Sequence, residues 1–236
     1  MKYSKRFKKM LLIILFWAVL AASFLFFAFL IFLKANGYQL NYKTWHIIKT
    51  GMIILNGEPN DVTIEINHKI LKTGFPERLS NLTIGAYDIE ISRENYQGWS
   101  KTVKVEPGLA LINEDIILFR NEPSEQDLPE NITVDKLRGQ FSSAARDLRI
   151  EDTEIFLNDI LVTRFSQKIL AATMYPDNKH IVFQTGSELR VIDIDGSNNK
   201  LLINLESAEP SVFSFTNNGS TIIYLDEGIL KARNIR

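Results

Sequence analysis

The sequence has no cysteine, which excludes disulfides, a thiolate nucleophile and cysteine-ligated zinc and leaves packing as the source of stability. Histidine is scarce. His46, His68 and His180 show no His-x-x-x-His or His-x-His spacing, so a histidine metal site would have to be assembled wholly by the fold. A surface or turn role is the simpler reading of each. Ser166, Ser187 and Ser197 lie in no Gly-x-Ser-x-Gly elbow, and no glycine-rich phosphate loop follows a strand-like run. These gaps point to a protein that is not an enzyme, with no catalytic residue, cofactor or metal site to name. A hydrolase would need acids clustered in a cleft, which spacing alone does not reveal.

Charge is absent from Met10 to Leu33, while the nine residues before that run carry Lys2, Lys5, Arg6, Lys8 and Lys9 and no acid. At about 1.5 Å per residue a helix over the run extends roughly 36 Å, enough to cross a ~30 Å hydrocarbon core with some tilt. The run exceeds the roughly 7–15 apolar residues of a cleavable signal peptide. Ala35-Asn36-Gly37 fits a small-x-small cleavage site only loosely, so retention as an anchor is favoured. The segment is apolar on every face, unlike a soluble helix with a polar stripe. The five leading basic residues outnumber Lys34, Lys43 and Lys49 after the run. This predicts a cytoplasmic basic tail over 1–9, a single-pass transmembrane helix over 10–33 in the cell membrane, and an extracytoplasmic remainder that begins with a juxtamembrane segment over 34–49. The lipid bilayer is then one partner. Ala18-x-x-x-Ala22 has the spacing of a close helix–helix contact, but several alanines in the span make chance sufficient, and a homo-oligomer stays open.

Beyond Lys9 the chain holds 22 basic against 28 acidic residues, which argues against a nucleic-acid partner bound through a basic surface. About 200 residues lie outside the apolar run, and a composition break divides them. Asn121 to Asn131 is poor in apolar residues and interrupted by Pro123 and Pro129, which reads as a solvated linker over 120–134; a long surface loop within one domain is the competing reading. Upstream, Val62, Ile64 and Ile66 alternate with polar residues, as do Tyr87, Ile89 and Ile91, then Val103 and Val105, ahead of the apolar run Ile116–Phe119. With Gly and Pro punctuating the gaps, the pattern predicts a small antiparallel β-sandwich over 50–119.

The residues Thr50-Gly51-Met52-Ile53-Ile54, the Pro59 turn, Thr73-Gly-Phe-Pro76, Ile84-Gly85-Ala86-Tyr87 and Tyr96-Gln-Gly-Trp99 resemble, in order, the landmarks of the PEGA domain. Pro59-Asn60-Asp61-Val62 stands where that family has Pro-Glu-Gly-Ala, and Asn95 stands where Gly usually precedes Tyr96. The resemblance implies a small extracytoplasmic β-sandwich of bacterial and archaeal envelope proteins, without known catalytic residues. Tyr87, Tyr96 and Trp99 are the candidate interaction surface, since aromatic faces suit sugar rings and partner surfaces; filling the sandwich core is the competing reading.

Beyond the linker the chain repeats itself. Ala172 to Phe183 parallels Phe213 to Tyr224, and Phe183 to Tyr224, Leu189 to Leu230 and Ile194 to Ile235 are each steps of 41. Repeats of about 40 residues built of short strands and Asn/Asp/Gly turns are a signature of propeller blades. Tyr175-Pro176-Asp177-Asn178-Lys179 and Leu189-Arg-Val-Ile-Asp193-Ile-Asp195-Gly196 resemble the turn and hairpin of TolB-type propellers, with Asn178 in the place of Gly. Two repeats are clear over 135–236, and Asp147 to Ser166 reads as a degenerate earlier copy. A closed propeller usually needs at least four blades, so a fragment packed on itself, pairing with another chain and a truncated gene all stay open. Asp193, Asp195 and Asn198 have roughly the oxygen spacing of a weak calcium loop but lack its glycine and terminal glutamate, and a polar hairpin turn explains them. The sequons at Asn81, Asn131 and Asn218 matter only in a cell that glycosylates secreted chains.

The sequence therefore predicts a mainly β protein: a transmembrane helix, a PEGA-like sandwich, then propeller-blade-like antiparallel sheets. Its expected function is noncatalytic binding or docking to cell-wall, surface-layer or other envelope components, the polymer or protein partner being unspecified. The alternative is an extracytoplasmic accessory subunit of a membrane sensing or transport complex.

Overall fold

The computed structural model describes residues 5–41, 45–145 and 147–236; Lys2 and Lys43 lie outside the described residues. The protein is mainly β, with one N-terminal apolar helix and several antiparallel sheets. It divides into two compact units. The first comprises the residues up to Ile54 with Arg78–Ala86 and Lys104–Ile112, and the second comprises Leu55–Glu77, Tyr87–Val103 and Asn113–Arg236.

The first unit begins with helix α1, Lys5–Ala35, whose apolar side chains are exposed almost throughout. From Phe7 to Ala35 it is long and apolar enough to cross a membrane. Asn36 and Gly37 end it. The Asn36 backbone N–H and side-chain amide both donate to Phe32 O, and Gly37 turns the chain at φ +75°. Strands β1 (Tyr38–Asn41) and β2 (His46–Lys49) pair antiparallel, with Tyr38 opposite Lys49. Thr50 then closes the hairpin on the helix exit, its N–H and hydroxyl both donating to Gly37 O at 2.7 Å.

Seven strands follow: β3 (Gly51–Glu58), β4 (Thr63–Ile66), β5 (Lys69–Thr73), β6 (Glu77–Leu82), β7 (Gly85–Ser92), β8 (Trp99–Val105) and β9 (Ala110–Ile117). They form two sheets of order β6-β3-β9 and β5-β4-β7-β8. Alternation does the sorting: Ile53 and Leu55, Val62, Ile64 and Ile66, Ile89 and Ile91, and Val103 and Val105 are all buried, while their polar neighbours are not.

The second unit continues through β10 (Ser124–Glu125) and helix α2 (Val134–Ala144) to ten further strands. These are β11 (Leu148–Glu151), β12 (Glu154–Leu157), β13 (Ile160–Arg164), β14 (Ile169–Met174), β15 (His180–Thr185), β16 (Glu188–Asp193), β17 (Lys200–Asn204), β18 (Phe213–Thr216), β19 (Thr221–Asp226) and β20 (Ile229–Asn234). Each group pairs with its sequence neighbours, giving sheets β11-β12-β13, β14-β15-β16-β17 and β10-β20-β19-β18. The stretch read as a linker is exposed along most of its length, yet it supplies β10, which pairs Ser124 with Asn234 and Glu125 with Arg233.

The sheets stack in chain order. Ile181 and Phe183 of β15 pack with Ile155 of the preceding sheet, whereas Val182, on the other face, shares a core with Phe213, Ile222 and Tyr224 of the following one. Strand β15 is consequently buried along its whole length. The repeat-equivalent residues of β19 behave alike, Ile222 and Tyr224 facing backward, but Ile223 meets Leu137 of α2. The helix thus occupies the layer a further sheet would fill. It was not read from the sequence, although Thr133 caps it by accepting from Lys136 N–H and Leu137 and Phe141 share one face.

Candidate functional site

The Tyr96–Lys101 segment, which holds two of the three expected surface aromatics, runs from an isolated bridge to Arg120 into β8. Trp99 is only 5% exposed. Its indole Nε1–H donates to Asp193 Oδ2 at 3.3 Å, and Gln97 Nε2 donates to Leu201 O at 2.5 Å. Ser100 N–H donates to Asn198 Oδ1 at 3.0 Å, and Lys101 pairs with Asp195 at 2.5 Å. With Phe119 buried in the core shared by β14–β20, this segment and the β16–β17 hairpin form one continuous packing surface. Trp99 is therefore a core residue whose ring faces are covered. Tyr96 is half-buried, with the Arg93 guanidinium 4.7 Å and the Arg120 guanidinium 5.5 Å from its ring centre. Tyr87, on β7, is also half-buried.

The hairpin carboxylates are occupied by donors. Asp193 Oδ2 also accepts from the Ser197 hydroxyl at 3.1 Å and the Asn198 amide at 3.0 Å, and Asp195 Oδ1 accepts from Ser197 N–H at 3.0 Å. Burial works against ionising Asp195, but Lys101 and Ser197 outweigh it and hold its carboxyl below the usual range. The calcium-loop spacing is thus spent on a polar hairpin turn. No group of three or more metal-ligating side chains occurs among the described residues.

His180 is the least expected polar feature. It opens β15 and is buried, with Nδ1 2.5 Å from Asp177 Oδ2 and Nε2 3.3 Å from Asp193 Oδ1. Burial alone would lower its pKa, but the two carboxylates outweigh desolvation and push it up to about 9. The raised pKa favours the imidazolium, with a carboxylate facing each ring nitrogen. Asp177 also accepts from Lys179 N–H at 2.7 Å and His180 N–H at 3.1 Å, which locks the Pro176-Asp177-Asn178 turn. Asp177 was visible in the turn motif, but its pairing with His180 and Asp193 depends on β15 and β16 lying side by side. The other two histidines stand apart: His46 starts β2, and His68 is exposed at φ +62° in the turn before β5.

Asp226 is a buried acid, accepting from Glu206 and Ser207 N–H groups and pairing with Lys231 at 3.0 Å. Desolvation opposes its ionisation, yet these donors hold the carboxyl below its ordinary range. Both acid clusters tie neighbouring turns together. Of the five basic residues expected to set topology, Lys8 and Lys9 lie exposed in α1; Lys5 and Arg6 are helical by backbone.

No family model matches this chain, and no curated protein matches it.

Proposed function

We propose that the protein is a noncatalytic, single-pass membrane protein of the cell envelope, whose β-region lies outside the cytoplasm and docks onto a wall polymer, surface-layer protein or other envelope component. The observation that carries this reading is the exposed helix Phe7–Ala35, uncharged from Met10 to Leu33, joined to a chain that is otherwise mainly antiparallel sheet. The PEGA-like landmarks and the blade-like sheets β14–β17 and β18–β20 support it, because both resemblances imply β-modules that present surface to a partner. The half-buried rings of Tyr87 and Tyr96 are the side chains we assign to that contact.

Protease treatment of intact cells and of right-side-out vesicles, with fragments read by mass, tests the arrangement. Removal of the β-region from outside, leaving only the tail and span protected, supports it; full protection of the β-region overturns it. Sedimentation of the full chain with isolated wall polymer would favour wall docking, whereas stoichiometric co-purification with a defined membrane complex would favour an accessory-subunit role.

A further inference from the structure

A cleft of about 510 Å³ opens beside the C-terminal end of α1, within the first unit, and falls inside the roughly 300–1,000 Å³ range of small-ligand sites. Four segments line it, one of them β6 with Arg78, Ser80 and Asn81. Lys34–Gly37 leave the helix, Lys49–Met52 pass alongside, and Gly108–Ala110 are held to them by Gly108 N–H on Thr50 O at 2.8 Å and Met52 N–H on Leu109 O at 3.0 Å. Gly108 sits at φ +74°, and a Cβ there would fall 2.4 Å from Lys49 Nζ, so the glycine leaves the path that the lysine side chain takes.

The chemistry of the cleft is one-sided. Its lining includes Lys34, Lys49 and Arg78 with the polar Ser80 and Asn81, and no acid. Among the described residues no carboxylate pairs with any of the three cations; Arg78 donates only its Nε, to the sulfur of Met52 at 3.1 Å, a weak acceptor that leaves the rest of the guanidinium open. The surrounding sequence repeats the bias, since Glu58 is the first acid in the chain. The first unit carries ten basic residues and one acid; the second carries seventeen basic and twenty-seven acidic.

Depth selects the ligand. Lys34 directly follows the uncharged run, so the cleft begins where the apolar surface of α1 stops. Trp45, 77% exposed, and Tyr38 lie on or beside the hairpin that leaves the helix, and Leu109 is exposed on the cleft wall. Exposed Trp and Tyr at the end of an apolar helix suit the headgroup layer, and a cationic recess at that level suits a phosphate.

We propose that this cleft binds the phosphate-bearing headgroup of an anionic glycerophospholipid, with Lys34, Lys49 and Arg78 as the phosphate ligands. The proposal rests on α1 lying in the bilayer, and its test keeps the two apart. The full chain, purified in mild detergent, is offered equal amounts of phosphatidylglycerol and phosphatidylcholine, and bound lipids are counted by native mass spectrometry. Phosphatidylglycerol should be retained in preference, with each cation removed weakening retention roughly fivefold. Lys34→Gln/Lys49→Gln/Arg78→Gln should lose the preference, and the exposed single variant Arg78→Gln should weaken it without disturbing the fold. Replacing Lys2, Lys5, Arg6, Lys8 and Lys9 by Gln should leave it. No preference in the unmodified chain, loss only in the tail variant, or displacement of the lipid by millimolar inorganic phosphate would each overturn the assignment. Alkaline carbonate extraction of the same membranes reads the anchor separately: a chain released by carbonate refutes the membrane reading itself. A chain retained in the membrane without lipid preference refutes only the cleft.

Discussion

Trp99 and Asp193, 94 positions apart in the chain, meet through one carboxylate oxygen: the indole N–H donates to Asp193 Oδ2 at 3.3 Å, while Oδ1 of the same carboxylate faces His180 Nε2 at 3.3 Å. A single acid thus joins β8, β15 and the β16–β17 hairpin.

His180 has a folded-state pKa near 9 against about 6.5 in an unfolded chain. The group is raised, so its contribution to stability is complete below about pH 6.5 and is lost as pH rises through 9. Thermal melts of the detergent-solubilised chain from pH 6 to 9.5 should show this decline, and Asp177→Asn should flatten it. His180→Gln should cost about 1–3 kcal/mol at pH 6.5, because it removes the charged partner shared by two partly buried carboxylates. A pH-independent melting temperature across that window would refute the imidazolium assignment.

Tyr175 is fully buried, its hydroxyl has no hydrogen-bond partner among the described residues, and burial pushes its pKa up. A buried hydroxyl without a hydrogen bond costs stability, so Tyr175→Phe should be neutral or stabilising by up to about 1 kcal/mol. Gly219 stands at φ +91°, and a Cβ there would lie 2.3 Å from the same hydroxyl, so Gly219→Ala should destabilise by about 2 kcal/mol or more. Chemical denaturation of the two variants checks both signs, and a marked loss in Tyr175→Phe would mean that the hydroxyl is satisfied in solution.

The lowered pKa of Asp226 gives stability that is present above the ordinary carboxylate range and lost as pH falls through the folded value. Lys231→Met should destabilise the fold by leaving that carboxylate on two backbone N–H groups. In a double-mutant cycle with Asp226→Asn the losses should be less than additive. Additive losses would show that the pair is not coupled.

Helix α2 covers a sheet face that would otherwise meet water, with Leu137 buried against Ile223 and Ala232. Leu137→Ala should cost about 2–5 kcal/mol and raise binding of an apolar dye. Unchanged dye binding with unchanged stability would argue that the cap is dispensable.

The strands legible in the sequence were those whose two faces differ. Val62, Ile64 and Ile66, and then Ile89 and Ile91, are buried where alternation placed them, because a pleated strand with one wet face needs that alternation. The 41-residue step was legible for a related reason: Phe183 and Tyr224 perform the same task, each turned toward the preceding sheet. Less visible were features set by distant partners. Ser124 and Glu125 have no strand pattern and become a strand only because β20 offers its edge. Trp99, offered as a surface aromatic or a core residue, is drawn inside by Asp193, and nothing near Trp99 in sequence signals that acid. The cationic cleft likewise needed four separate segments brought together. Its glycines and lysines are unremarkable in the linear chain.

Strand β10 carries one last consequence, for the order of events during synthesis. Ser124 and Glu125 leave the ribosome more than a hundred residues ahead of Asn234 and Arg233, the residues they pair with. The edge they complete therefore cannot form until translation has passed residue 234, and throughout that interval this short segment waits for its strand partner. Closing so long a loop is slow compared with the local hairpins from β11 to β19, so it should be the last pairing made. A nascent chain halted before residue 233 could not make this pairing at all.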